Sequence, residues 1–224
     1  MKWRASARSV SLAVALILAA CGDAETDRLK STVRPTYDKS TGKLAELTSD
    51  ANGNGRIDTW TDMDGTRPIR SRGDRDEDGT LDRWEYYDGR GQLLKVGFSR
   101  AHAGRPDAWA FSAPDGTLAR IEISSSADEE RIDRWEHFHP PIAQSPDGTP
   151  LPARVDEDTN SDGRPDKWET YDDGVLKTAA FDENGDGRPD RRLTYNGSTL
   201  VLIETGPDEA GSFTRRHAVG EREP

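Results

Sequence analysis

The chain has 224 residues, a net charge of −11 at pH 7 and 33% charged residues. This acidic balance argues against nucleic acid as a partner, because phosphate backbones are bound by basic surfaces. Hydrophobic residues make up only 32% of the chain, which is low for a globular domain of this length. The composition therefore disfavours a single deep core and favours thin layers stabilised by aromatic stripes and bound ions.

The first predicted element is a signal peptide at residues 1–20. It has a basic start with lysine and arginine, followed by a short apolar stretch at 10–18 that is too short to span a bilayer. The sequence LAAC at 18–21 follows directly and contains Cys21, the only cysteine of the chain. This site resembles the lipobox of bacterial lipoproteins, in which the cysteine carries the lipid. The resemblance implies palmitate on Cys21 and a lipid-anchored protein of the bacterial cell envelope, with the outer membrane favoured. The alternative is an ordinary secretory signal with a free thiol.

A tether is expected at 21–33, and a repeat domain at 34–205 follows it. Its repeated phrase has the form turn-Arg-x-Asp-x-Trp and returns with a period of about 25 residues. The copies are GRIDTW at 55–60, GTLDRW at 79–84, GRPDAW at 104–109, ERIDRW at 130–135, GRPDKW at 163–168 and GRPDRR at 187–192. One long gap contains a proline-rich insertion at 139–150.

Each repeat predicts one β-hairpin. Aromatic and β-branched stretches flank Asp-Gly or Asn-Gly, the strongest local hairpin signal, and an acidic loop joins each hairpin to the next. The predicted fold class is all-β, an antiparallel meander of about twelve to fourteen strands. The pattern leaves open whether the meander forms a single twisted sheet, an open barrel or a solenoid.

Side-chain alternation predicts the faces of one hairpin in detail. In the first strand Trp84 and Tyr86 point to the same side, because successive residues of a strand alternate. We expect Leu94, Val96 and Phe98 of the second strand to share that face.

Two of the acidic loops have calcium-ligand spacing at all six diagnostic positions. Oxygen ligands stand at positions 1, 3, 5, 9 and 12 of a twelve-residue stretch, glycine stands at position 6, and the backbone carbonyl of position 7 completes the set. These ligands are Asp74, Asp76, Asp78, Thr80, Asp82 and Glu85 in one loop, and Asp158, Asn160, Asp162, Arg164, Asp166 and Glu169 in the other. Glycine provides the backbone angles that the turn requires.

Two further loops match less completely, and we expect them to bind calcium more weakly. The first has two neutral amides and Thr61 at position 12, and the second has Leu193 at position 12. Their ligands would be Asp50, Asn52, Asn54, Arg56 and Asp58 in the first, and Asp182, Asn184, Asp186, Arg188 and Asp190 in the second. The loops that end at Asp107 and Asp133 have lost most ligand residues and are expected to keep the turn without an ion.

These loops resemble those of EF-hands, dockerin modules and thrombospondin type 3 repeats, and the resemblance implies bound Ca²⁺. EF-hands and dockerins continue into a helix, whereas here a strand is expected, so calcium-loop β-repeats of bacterial exported proteins are the closer likeness. If position 12 lies on a strand, the alternative for Glu85 and Glu169 is a surface charge that faces Arg or Lys across the sheet.

No catalytic motif stands out, since G-x-S-x-G, H-E-x-x-H and Gly-rich phosphate loops are missing from the sequence. The favoured function is a non-enzymatic, lipid-anchored calcium-binding protein that acts as a structural or interaction scaffold. Its partners would be the membrane, through the lipid, and an unidentified protein or glycan. The alternative is a glycan-binding module or carbohydrate-active enzyme that uses the aromatic face of the sheet. Residues 206–224 are expected to form a polar C-terminal tail.

Overall fold

The computed structural model describes residues 32–101, 104–128 and 131–220. These residues form fifteen strands joined by turns and loops. The strands are β1 (Val33–Tyr37), β2 (Leu44–Ser49), β3 (Thr59–Asp64), β4 (Arg67–Gly73), β5 (Arg83–Tyr87), β6 (Leu93–Phe98), β7 (Ala108–Ser112), β8 (Leu118–Ile123), β9 (Arg134–His137), β10 (Arg154–Glu157), β11 (Lys167–Asp172), β12 (Val175–Phe181), β13 (Arg191–Asn196), β14 (Thr199–Pro207) and β15 (Phe213–Ala218).

The strands form one antiparallel meander, in which each pairs with its neighbours in the chain. The sheet does not close on itself, so β1 and β15 are its two edges within the described residues. The predicted all-β meander is confirmed, and of the three arrangements left open the structure adopts the single sheet. Fifteen strands exceed the expected twelve to fourteen.

The extra strand corrects the predicted tail. Residues 213–218 form β15 and pair with β14, with Ile203 opposite His217 and Thr205 opposite Arg215. The polar sequence FTRRHA suggested a frayed end, but an edge strand is solvated on one side and tolerates charged side chains. The signal peptide, Cys21 and nearly all of the predicted tether lie outside the described residues.

The chain divides into two compact units. Within the described residues, the N-terminal unit covers 32–109 and the C-terminal unit covers 110–220. In each unit short turns alternate with the longer acidic loops, so that the turns lie at one end of the strands and the acidic loops at the other.

The predicted hairpins are present, but the register of the β5–β6 pair differs from the prediction. Trp84 faces Gly97, and Tyr86 faces Lys95, whose ammonium nitrogen lies 4.9 Å from the centre of the tyrosine ring. Val96 and Phe98 therefore belong to the other face, opposite Glu85 and Arg83. Expecting the apolar residues to share one face was wrong, because this sheet mixes charged and aromatic side chains on both faces.

The core is thin, as the composition suggests. In the N-terminal unit the buried apolar side chains are those of Trp84, Ala108 and Trp109, and most other strand residues are half-buried. Trp109 is 1% exposed and packs over Gly97, where an added Cβ would lie 3.4 Å from the indole and 3.0 Å from the Cβ of Pro106. The glycine thus makes room for the indole.

In the C-terminal unit the buried apolar side chains come from different strands and from the segment after β9. They are Ile123, Phe138, Val155 and Ala179. Since the sheet has few buried aliphatic residues, hydrogen bonds and ion pairs carry a larger share of the contacts that fix the strands.

Candidate metal-binding loops

The four acidic loops share one backbone arrangement, built around the aspartate at position 1. The carboxylate of this residue accepts a hydrogen bond from the backbone N–H of the glycine at position 6. The donor–acceptor pairs are Gly55–Asp50 at 2.6 Å, Gly79–Asp74 at 3.0 Å, Gly163–Asp158 at 2.8 Å and Gly187–Asp182 at 2.7 Å. Each glycine has a φ between 87° and 92°, which side chains with a Cβ rarely adopt.

The residues at positions 3 and 5 also bind the loop backbone with one oxygen each. Asp78 Oδ1 accepts a hydrogen bond from the N–H of Thr80 at 2.7 Å, and the position-5 residues of the other loops do the same for Arg56, Arg164 and Arg188. Asn160 Oδ1 accepts from the N–H of Asp162 at 2.9 Å. The alternating acidic and amide residues therefore wrap the chain into a turn with their side chains directed inward.

One loop brings three carboxylates together. Asp74, Asp76 and Asp78 each place an oxygen within 4.8 Å of the others, a group that could hold a metal ion. Asp74 Oδ1 is buried and has no hydrogen-bond partner. A buried carboxylate oxygen without a partner is costly, and neighbouring carboxylates add repulsion. A cation between the three aspartates would remove both costs.

The aspartate at position 9 closes the loop. Its carboxylate accepts backbone N–H groups from the start of the same loop, as Asp82 does from Arg75 at 3.0 Å and Asp166 does from Thr159 at 3.1 Å. Burial raises the pKa of the Asp82 carboxyl, and it outweighs the opposite effect of the Arg75 N–H.

The two loops without the acidic positions keep this closure. Asp107 accepts the N–H of Arg100 at 2.9 Å, and Asp133 accepts the N–H of Ser125 at 2.8 Å. The position-9 aspartate therefore closes the loop whether or not ion ligands are present. This explains why it recurs in all six copies, while the residues at positions 1, 3 and 5 vary.

The glutamates at position 12 lie on strands, as the departure from helical loops predicts. Glu85 on β5 bonds Arg83 at 2.8 Å and the Tyr87 hydroxyl at 2.6 Å. Glu169 on β11 bonds Lys167 at 2.8 Å and the Tyr171 hydroxyl at 2.7 Å. The geometry matches the surface-charge alternative, because both carboxylates are engaged by strand neighbours.

These contacts shift the pKa values of the partners. Burial alone would raise the pKa of Glu169, but hydrogen bonds from Lys167 and Tyr171 and the charge of Lys167 lower it overall. Burial and the adjacent carboxylate raise the pKa of the Tyr87 and Tyr171 hydroxyls.

Loop 182–190 is closed in a similar way. Asp190 accepts the backbone N–H groups of Glu183 at 2.7 Å and Asn184 at 2.9 Å, and also the side-chain amide of Asn184 at 2.8 Å. The amide nitrogen of Asn184 is thus directed to Asp190, which sets this loop apart from the Asp74 loop.

Sequence reasoning missed Glu77, at position 4 of the Asp74 loop. Its carboxylate reaches the preceding loop and contacts the side chains of Asn52, Asn54 and Arg56. A signal was available, since Glu77 is the only acidic residue at position 4 among the four loops; the others have Gly53, Ser161 and Gly185.

A cleft of about 520 Å³ lies in the C-terminal unit, between the loop that ends at Asp133 and the loop that begins at Asp158. Its lining includes Trp135, Arg131 and Asp162. Serine hydroxyls from both loops, of Ser125, Ser126 and Ser161, add hydrogen-bonding groups. The cleft therefore combines an indole, both signs of charge and several hydroxyls.

Comparison with known proteins gives no family. No protein-family model matches the sequence. No curated protein matches it either. Among solved structures, two of S. aureus TarM are similar, one of them a mutant in complex with Fondaparinux, alpha-GlcNAc-glycerol and UDP. Both are 12% identical over 47% of this chain and 22% of TarM, with TM-scores of 0.35 and 0.36. A likeness this low carries no argument about function.

Among the residues that the structure describes, no helix has the length and apolar character needed to cross a membrane.

Proposed function

We propose that this protein binds calcium through its acidic loops, and that the bound ions stabilise the connections between neighbouring hairpins. The observation that carries the proposal is the convergence of Asp74, Asp76 and Asp78, with the buried Asp74 Oδ1 left without a hydrogen-bond partner. Binding to the folded state alone would add the free energy of binding to that of folding.

The chemistry of the donors favours calcium over other metals. The group contains only carboxylate oxygens, which hard cations prefer, and it contains neither histidine nor cysteine. The loops present oxygens on a flexible backbone rather than as a rigid octahedron, which suits Ca²⁺ better than Mg²⁺. The only cysteine, Cys21, lies far from them in the sequence.

The loops are proposed to differ in affinity. The loops at 74–85 and 158–169 have the larger number of charged ligands and would fill first, and the loop at 182–190 would fill later. Glu85 and Glu169 complete the first two sites only if they leave their arginine, lysine and tyrosine partners, so the calcium affinity is expected to be in the weak, extracellular range of about 10⁻⁴–10⁻³ M.

The test is thermal unfolding in calcium, in magnesium and in chelator. Calcium should raise the melting temperature above its value in chelator, and native mass spectrometry should count the bound ions. Replacing both Asp76 and Asp78 by Asn should remove one ion and reduce the calcium effect, while the exposed Asp172→Asn should leave it intact. A metal-free protein at millimolar calcium, with an unchanged melt, would refute the proposal.

The protein is further proposed to be a non-enzymatic envelope lipoprotein that acts as a scaffold, anchored through Cys21 with the outer membrane favoured. The support is the LAAC site at 18–21 directly after an apolar segment. Expression in a bacterium with labelled palmitate should give a labelled, membrane-associated protein. Cys21→Ser should lose both properties, and a label that persists in this variant would contradict the assignment.

A second candidate function, glycan binding, is favoured by the cleft beside Trp135. Indole faces stack on sugar rings, and hydroxyls and carboxylates accept or donate to sugar hydroxyls. Quenching or enhancement of tryptophan fluorescence by short oligosaccharides should be lost in Trp135→Ala and kept in Trp60→Ala. Equal responses of both variants would count against a ligand site at the cleft.

A further inference from the structure

We propose that the carboxylate of Glu77 occupies loop 50–58 in place of a cation and clamps this loop to the next one without metal. The loop was expected from its sequence to be a weak calcium site. Its contacts indicate instead that it holds an anion, supplied by the neighbouring repeat.

Three side chains of the loop converge on this carboxylate. Asn52 Nδ2 lies 2.5 Å from Glu77 Oε1, and Asn54 Nδ2 donates to the same oxygen. Arg56 Nη1 lies 3.2 Å from Oε2. The Glu77 side chain is only 15% exposed, so these contacts replace most of its hydration. Two amide donors and a guanidinium are the partners that a carboxylate requires.

The orientation of the two amides follows from the backbone. Asn52 Oδ1 accepts the N–H of Asn54 at 3.0 Å, and Asn54 Oδ1 accepts the N–H of Arg56 at 2.9 Å. With both oxygens bound to the backbone, both NH₂ groups point to Glu77. A reversed amide would place its oxygen against a carboxylate and leave a backbone donor unpaired. An inward ring of donors repels a cation and attracts an anion.

The clamp also explains why a glutamate tolerates position 4. Glu77 has φ +57°, a left-handed conformation that costs free energy for a residue with a Cβ. It stands between Asp76 and Asp78, which repel its charge. Reaching into the preceding loop moves the Glu77 carboxylate away from these two aspartates and supplies opposite charge from Arg56.

The proposal predicts a division of labour between adjacent loops. The loop at 74–85 supplies the three-aspartate group for a cation, and the same loop supplies the anion that fills loop 50–58. The clamp does not depend on calcium binding elsewhere, so it should operate equally in chelator.

The test compares Glu77→Ala with Ser161→Ala, both in chelator. Ser161 is the matched control, because it occupies position 4 of its loop with φ +64° and so carries the same backbone cost. Glu77→Ala should lower the melting temperature by about 3–6 °C, and Ser161→Ala should leave it within about 1 °C. In NMR spectra the side-chain amide signals of Asn52 and Asn54 should shift in the first variant only.

Should Glu77→Ala not fold, Glu77→Gln provides the same NMR readout, because it removes the charge and keeps the side-chain length. A double variant, Asn52→Asp with Asn54→Asp, should melt lower in chelator, since it sets carboxylates against Glu77, and should regain the loss in calcium.

Two results would overturn the clamp: equal effects of Glu77→Ala and Ser161→Ala in chelator, or an effect of Glu77→Ala that appears only with calcium. The second result would make Glu77 a metal ligand. Failure of calcium binding at the Asp74 loop would leave the chelator measurements unaffected, so the two proposals are tested separately.

Discussion

At the scale of single residues, position 4 of the acidic loops is set by backbone conformation. Gly53 and Gly185 adopt φ +77°, and Glu77 and Ser161 adopt φ +57° and +64° at the equivalent places. Glycine reaches this region without strain, whereas a residue with a Cβ does not. A side chain at position 4 is therefore retained against a conformational cost, which Glu77 offsets through its contacts with loop 50–58.

Ser161→Gly should stabilise the protein. Relief of the left-handed strain gains about 1–2 kcal/mol, and the greater freedom of glycine in the unfolded chain takes back part of it. The expected net gain in the free energy of unfolding is about 0.5–1 kcal/mol, measured by urea denaturation. Ser212→Gly is the control outside the left-handed region and should be destabilising; a loss in both variants would contradict the strain argument.

At the scale of elements, the acidic loops contain two separable devices. The position-9 aspartate accepts backbone N–H groups and closes every loop, including those that end at Asp107 and Asp133. The carboxylates at positions 1, 3 and 5 converge in the Asp74 loop and are the candidates for ion binding. Closure should therefore contribute to stability with or without metal.

Asp107→Ala tests this separation. Asp107 is 7% exposed, and its carboxylate bonds the N–H of Arg100 at 2.9 Å and the guanidinium at 3.3 Å. Removing a charged acceptor with these partners should cost about 2 kcal/mol, equally in calcium and in chelator. Asp172→Ala, at a side chain that is 72% exposed, should have little effect. A cost that vanishes in chelator would show that Asp107 acts through an ion.

The strand β11 should give the protein a dependence on pH. The pKa of Glu169 is lowered in the folded state: its burial opposes this, but the contacts with Lys167 and Tyr171 prevail. A lowered pKa contributes stability above the unfolded value of about 4.3, and this is lost as pH falls through that value.

Glu169→Gln should therefore flatten the loss of stability between about pH 5 and pH 3. Tyr171→Phe, which removes one donor and keeps the charge, should give an intermediate slope. Denaturation followed at several pH values in chelator measures both. An unchanged slope in Glu169→Gln would show that other carboxyl groups govern the acid limb.

At the scale of the whole molecule, excess negative charge opposes a thin sheet. Asp and Glu number 42 against 31 Lys and Arg, and few apolar side chains are buried. Many of the acids form ion pairs across strands, such as Arg72 with Asp62 at 3.0 Å and Arg192 with the buried Glu204. The remaining acids repel one another and destabilise the compact state.

Raising sodium chloride from about 0.1 M to about 1 M should therefore raise the melting temperature in chelator, because the Debye length falls from about 10 Å to about 3 Å. The gain should shrink in calcium, since bound ions neutralise part of the same charge. Differential scanning calorimetry in the four conditions checks this. A melting temperature that falls with salt would mean that ion pairs outweigh repulsion.

The sequence by itself determined the all-β class, the hairpin repeat and the position of each loop, because these depend on local signals: turn glycines, strand alternation and a marker aspartate at fixed phase. It also identified Asp74, Asp76 and Asp78, since ligand spacing within one loop is a local property.

Only the tertiary structure decided what depends on pairing between distant residues. The register that places Gly97 and Lys95 opposite Trp84 and Tyr86 arises from a bulge at Tyr86/Tyr87. The polar end segment becomes β15 because β14 offers an edge to pair with. Glu85 and Glu169 bind strand neighbours, and Glu77 reaches across to another loop. Each outcome depends on which groups the sheet brings side by side, which local sequence does not encode.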